Sequence, residues 1–164
     1  EGVAFTEVYN AVSEAHNSLR AYSDYFVDVC ANAGIYYQLL ATDDAHFYDG
    51  SDSCKGWVMV NAENNINDIL KSLEEGAFYS SCGPEIYDFY VDEENEKVVI
   101  DCSPASKIRL HCDGHPTNIK RSAEGDLTHA EFSLKHWAGP YPYVRITVID
   151  KDGKYAWTNP IFLK

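Results

Sequence analysis

Basic residues are scarce in this chain: 13 Lys and Arg stand against 26 Asp and Glu, which leaves a formal net charge of −13 at pH 7. A surface of that sign is repelled by nucleic acid phosphates and by anionic lipid headgroups, so neither is expected as a partner. No apolar run approaches the roughly 20 residues of a membrane-spanning helix, and the first residues carry no basic segment leading into an apolar one. Cysteine is sparse, odd in number and scattered (Cys30, Cys54, Cys82, Cys102, Cys112). That distribution is unlike the paired framework of a stapled secreted scaffold, so the five are expected as reduced thiols and the chain in the cytoplasm. With 6 Pro and 10 Gly there is no Pro-rich linker, and there is neither an internal repeat nor a low-complexity tract. A glycine-rich phosphate loop and a G-x-S-x-G nucleophile elbow are both missing. No cysteine sits among basic residues that would stabilise a thiolate. A starting Met is missing too, and the chain is therefore expected to be a piece of a longer protein.

Apolar material is plentiful. Of the 164 residues 45% are hydrophobic and 13% aromatic, enough to offset the entropy of ordering one domain or two small ones. Residues 3–9 read as a strand closed by Asn10. Leu19, Tyr22, Phe26, Val29, Cys30 and Ala33 then recur at steps of three and four and predict a helix with one apolar face, with Ser23 as a possible N-cap and Gly34 at its end. Residues 35–42 read as a buried strand. Strand, helix, strand implies a right-handed crossover between parallel strands, whose carboxyl ends are the usual place for chemistry. After a turn-rich stretch come a short strand at 57–60 and a second helix, capped by Asn64 or Asn65, lined by Ile66, Ile69, Leu70 and Leu73, and stopped by Gly76. From about Glu85 the period changes to two. Runs at 86–91, 97–102, 107–112, 127–134, 143–149 and 155–158, separated by turn residues, predict an antiparallel sandwich. The 12 Tyr and 7 Phe fall within this pattern and read as core.

The sharpest local feature is Asp43-Asp44-Ala45-His46 at a predicted strand end. A carboxylate and an imidazole one residue apart can turn toward one zinc, manganese or iron ion, but the same residues can equally decorate and cap a loop. Two ligands do not complete a catalytic metal site, which needs three and an open position. Glu7, near the end of the preceding strand, is the nearest further carboxylate or a solvent-facing residue. His111-Cys112-Asp113-Gly114-His115 reads as a tight turn rather than a zinc site, because no second Cys/His pair stands at structural spacing. His129 and Glu131 share a strand face, as a surface pair or as metal ligands. His136, beside Trp137, reads as a loop residue.

Five ordered blocks then carry a resemblance: Glu7-Val8-Tyr9-Asn10; the helix end Asp28-Val29-Cys30-Ala31-Asn32-Ala33-Gly34; Ala41-Thr42-Asp43-Asp44-Ala45-His46; Gly76-Ala77-Phe78-Tyr79-Ser80-Ser81-Cys82-Gly83-Pro84-Glu85-Ile86; and Ala156-Trp157-Thr158-Asn159-Pro160-Ile161. Together they resemble the C-terminal part of PHP (polymerase and histidinol phosphatase) domain proteins, predicted metal-dependent phosphoesterases, over nearly the whole chain. The resemblance implies an α+β fold, in which residues 1–76 are the C-terminal remnant of a PHP-type β/α barrel (strand, helix, strand, then a second helix) and residues 77–164 an appended antiparallel β-sandwich. It implies divalent metal ions (zinc, manganese or iron) on the barrel rim and hydrolysis of a small phosphorylated substrate by metal-activated water. Asp44 and His46 match the family's last ligand pair, and Asp43 the place of a residue that supports the ligands without touching metal. The family's opening H-x-D-x-H motif and its intervening Glu and His ligands have no counterpart here. Alone, the chain is thus expected to bind metal weakly and to turn over nothing. The alternative is a non-catalytic β-sandwich module for binding or contact. Barrel strands without their neighbours expose backbone edges, so a homo-oligomer through residues 1–60 is expected as well.

Overall fold

Strand runs of β-branched and aromatic residues dominate the chain. A computed structural model, which describes residues 4–16, 19–47, 51–112, 115–135 and 143–163, assembles them into a mixed fold of mostly antiparallel sheet. Strand β1 (Phe5–Asn10) leads through a short helix α1 (Ala11–Ala15) and helix α2 (Asp24–Asn32) to β2 (Gln38–Thr42), and β1 and β2 pair in parallel. The strand-helix-strand order expected at the N-terminus is present. Strand β3 (Trp57–Val60) and helix α3 (Ile66–Glu75) follow, α3 capped by the Asn65 side chain and closed by Gly76 in the left-handed region at φ 73°. The remaining strands are β4 (Phe78–Ser81), β5 (Ile86–Asp92), β6 (Lys97–Ala105), β7 (Lys107–Cys112), β8 (His115–Arg121), β9 (Leu127–Ser133), β10 (Tyr143–Ile149), β11 (Tyr155–Thr158) and β12 (Ile161–Phe162).

The large sheet runs β3-β4-β11-β10-β7-β8 with β12 added beside β10, and a second sheet runs β5-β6-β9. Every pairing in both is antiparallel. The two share one core: Val98, Ile100 and Cys102 of β6 and Ala130 and Phe132 of β9 meet Ile108 and Leu110 of β7 and Val144, Ile146 and Val148 of β10. These residues are spaced by two, as side chains on one face of a strand must be. β3, read from sequence together with the N-terminal elements, hydrogen-bonds directly to β4 of the large sheet.

The other face of the large sheet is covered as well. Trp157 of β11 and Cys82 pack with Val8 and Tyr9 of β1, Ala11, Val27 of α2, and Leu39 and Ala41 of β2. The large sheet is thus a middle layer, with the three-stranded sheet on one side and the β1-α-β2 unit on the other. Every residue of β10 is buried for that reason, as in strands covered on both faces.

This layering corrects the predicted face of α2. The helix buries Val27, Asp28 and Ala31, while Phe26 and Val29 are about half exposed and Leu19, in the preceding turn, is fully so. The buried face carries an acid because that acid has a partner in β10, described below. The backbone edges expected to stand open are closed locally. Asn10 N–H donates to Ala21 O and Val8 O accepts from Ser23 N–H along β1. Along β2, Leu39 N–H donates to Asn159 Oδ1, Ala41 N–H donates to Ser80 Oγ, and the Ser80 hydroxyl donates to Leu39 O.

Candidate functional site

The segment that follows β2 holds the predicted residues Asp43, Asp44 and His46. Asp43 anchors a loop: its Oδ2 accepts from Cys54 N–H at 2.6 Å, and its Oδ1 from Lys55 and Gly56 N–H, both at 2.8 Å. Partial burial pushes this carboxyl upward, but the three backbone donors outweigh it and hold the group below its ordinary 3.8. Gly56 is required where it stands, because a Cβ there would lie 2.9 Å from Thr42 O and 3.0 Å from the Tyr9 ring. Asp43 thus ties the chain at 54–56 to the carboxyl end of β2.

Asp44 and His46, both exposed, stand just past that end. The Asn10 amide, at the matching end of β1, donates to Glu7 Oε2 at 3.0 Å and to Asp44 Oδ2 at 3.3 Å, while the Thr42 hydroxyl donates to Glu7 Oε1. Glu7 and Asp44, 37 residues apart in sequence, are therefore bridged by one side chain. Beyond them Asp52 Oδ2 accepts from the N–H groups of His46 and Phe47, at 2.6 and 3.2 Å. Asp52 Oδ1 is buried with no hydrogen-bond partner among the described residues, an arrangement that leaves acceptor capacity for a cation or a water. Asp44, Phe47 and Cys54 have φ of 53°, 60° and 56°. For a bulky residue such as Phe the left-handed region is strained, and strain of this kind gathers at ligand sites.

The donor chemistry around Asp44 suits a divalent ion, but the number of donors does not. Among the described residues no three His, Cys, Asp or Glu side chains converge closely enough to hold a metal ion. The donors among the described residues therefore do not complete a site for the implied metals.

A second polar site, absent from the sequence reading, lies between α2 and the large sheet. Arg145 is fully buried; its Nε and Nη2 both approach Asp28 Oδ1 at 2.8 Å, and its Nη1 donates to Asp24 Oδ1 at 3.3 Å. Tyr143 OH donates to Asp28 Oδ1 at 3.0 Å, and Trp157 Nε1 donates to the Asp24 carboxylate. His111 Nδ1 lies 3.0 Å from Asp28 Oδ2, and Nε2 lies 3.0 Å from the Thr147 hydroxyl. Burial, then the neighbouring Arg145, pushes the His111 imidazole below its ordinary 6.5. The neutral ring consistent with these contacts carries its proton on Nδ1, donating to Asp28, and accepts at Nε2. Burial pushes the Asp28 carboxyl up, but His111 and Arg145 outweigh it and hold it below 3.8. Two sequence signals mark this site: an Asp inside a helix's apolar run and an Arg inside an apolar strand.

His111 therefore serves this network. Cys112 next to it is buried, and Asp113, Gly114, His136 and Trp137 lie outside the described residues. His129 and Glu131 share a face as expected, on the surface, where His129 pairs with Asp101 at 2.7 Å and Glu131 with Lys97 at 2.6 Å. All five cysteines are free thiols, and burial pushes those of Cys82 and Cys102 up to about 11, opposite to what a nucleophile needs. No described helix is long and apolar enough to cross a membrane. Comparison with family models, with curated proteins and with solved structures yields no match to this chain.

Proposed function

We propose that the chain contributes the last part of the metal-bearing rim of a PHP-type phosphoesterase, with Asp44 and His46 as ligands and Glu7 beside them. The observation that carries this reading is the placement of Asp44 and His46 immediately after the carboxyl end of β2, parallel to β1, with Asp44 itself in the uncommon left-handed region at φ 53°. Carboxyl ends of parallel strands are where α/β folds gather catalytic groups. The remaining ligands have no counterpart in these residues, so hydrolysis of a phosphate ester belongs to the longer polypeptide. When bound, the metals would supply an activated water and offset the repulsion between a phosphorylated substrate and a chain of charge −13.

Manganese binding provides the test, followed by paramagnetic broadening in NMR spectra. In the longer polypeptide, Mn2+ should broaden the His46 imidazole signals at stoichiometric metal, and Asp44→Ala should weaken that binding at least about tenfold. In the 164 residues alone broadening should require a large excess. Saturable, stoichiometric binding that ignores Asp44→Ala contradicts the reading.

The second reading, a binding module without catalysis, is favoured by a different observation. The sandwich carries a cleft of its own, bordered by Gly76 and Asn159 near the amino end of β2, and neither Asp44 nor His46 lines it.

A further inference from the structure

The cleft encloses about 670 Å³, a volume suited to a small organic ligand. Its lining combines four aromatic residues, Phe78, Tyr79, Tyr87 and Phe89, with two carboxylates, Glu85 and Asp88, and the Asn61 amide. Among the described residues, no Lys, Arg or His lines it.

A local irregularity in β5 creates this arrangement. Ile86 pairs with Cys102 and Asp88 with Asp101, so Tyr87 is an extra residue bulged out of the ladder. The bulge shifts the phase of the strand. Ile86, Phe89 and Val91 pack on the core, a spacing of three and then two that an unbroken strand could not deliver. Tyr87 and Asp88 are in consequence both exposed and both border the cleft, where strict alternation would have sent them to opposite faces. Bulges of this kind recur where a side chain is re-aimed toward a site. The Tyr87 hydroxyl donates to Glu85 Oε2 at 3.0 Å, which steers that carboxylate along the same wall.

We propose that the cleft binds an organic cation, an ammonium or guanidinium group carried on an apolar body. Aromatic faces attract cations through their quadrupoles, and the two carboxylates add direct charge complementarity without an opposing base. The negative field of the whole chain raises the local concentration of such a ligand. A phosphate ester, by contrast, would face Glu85 and Asp88 with nothing to offset them, so this ligand is not the substrate of the proposed phosphoesterase.

The probe is benzyltrimethylammonium, titrated into the full chain by calorimetry and by NMR, with benzyl alcohol and a methyl glucoside as neutral controls. Saturable binding is expected for the cation, with shifts at Tyr87 and Phe89. Combined Glu85→Gln and Asp88→Asn should weaken it about tenfold, Tyr87→Ala several-fold, and added salt progressively. All three positions are exposed, so the fold should survive their replacement. Asp44→Ala should leave cation binding unchanged, which keeps this test separate from the phosphoesterase reading. Equal affinity for a neutral control, or binding indifferent to removal of both carboxylates, overturns the proposal.

Discussion

Replacing Asp28 by alanine should expose how strongly the β1-α-β2 unit is fastened to the large sheet. Arg145 has no exposed surface, and its two closest polar contacts, both at 2.8 Å, are to Asp28 Oδ1. Without that carboxylate the guanidinium retains the Asp24 side chain, 27% exposed and 3.3 Å away, the Asp24 carbonyl at 3.4 Å, Thr147 at 3.2 Å and the neutral His111 ring at 3.1 Å. Breaking a buried ion pair by removing one partner costs roughly 3–5 kcal/mol, because the survivor stays buried and poorly paired. Tyr143 OH loses its bond to the Asp28 carboxylate as well, and a hydrogen bond to a charged group is worth roughly 1.5–3 kcal/mol. These losses overlap, so we expect about 4 kcal/mol for Asp28→Ala, a large share of the 5–15 kcal/mol that typically separates folded from unfolded chains. Asp28→Leu combined with Arg145→Met removes both charges and should cost clearly less than Asp28→Ala alone. Urea unfolding followed by fluorescence is suited to the measurement, since Trp157 is buried and bonded to Asp24 of the same helix. A loss below about 1 kcal/mol for Asp28→Ala, or a double variant that loses the sum of the two single ones, would refute the reasoning.

Acid should weaken the same junction in two stages. Folded His111 stays neutral below its ordinary 6.5 while the unfolded chain takes up the proton, so stability should decline as the pH falls below 6.5, and His111→Asn should flatten that part of the curve in denaturation measured at several pH values. Asp28 has the usual carboxylate sign: its depressed value adds stability that is fully present above 3.8 and is lost as the pH falls through the folded value. Asp43→Ala should leave three backbone N–H groups without their acceptor and speed amide hydrogen exchange at Cys54, Lys55 and Gly56 at least about tenfold, with exchange in β10 unchanged. Gly56→Ala should cost about 1–3 kcal/mol in thermal unfolding, since the added methyl meets backbone at Thr42; an unchanged midpoint would contradict the close approach.

Strands whose two faces differ in chemistry are legible in the sequence. β6, β7, β9 and β10 alternate because one face meets the sandwich core, and the runs at 97–102, 107–112, 127–134 and 143–149 follow that period. Strand β4 escaped notice because Ser80 and Ser81 do not look like core; they are buried because Ser80 closes the edge of β2 and Ser81 donates to Pro84 O. The face of α2 was misread for a related reason. Apolarity marks the burial side of a helix only when its buried groups are apolar, and Asp28 is held inside by Arg145, 117 positions later. The Asp in an apolar helix run and the Arg in an apolar strand each mark a buried charge, but neither shows which charge it meets. Asp44 and His46 were legible as a pair, whereas the bridge from Asn10 to Glu7 and Asp44 depends on the parallel register of β1 and β2. The cleft depends on a single extra residue in β5 that no periodicity reveals in advance.

The account turns on whether the end of β2 belongs to a hydrolytic metal centre. Its most direct test is the rate at which a longer polypeptide that contains these residues and supplies the remaining ligands hydrolyses phosphate monoesters with added manganese, compared with its Asp44→Ala and His46→Ala variants. Turnover should fall at least about a hundredfold in each variant, as loss of a ligand to a catalytic metal requires, and the 164 residues alone should show none. Hydrolysis that persists at the parental rate in both variants, or turnover by the 164 residues without any added segment, would contradict it.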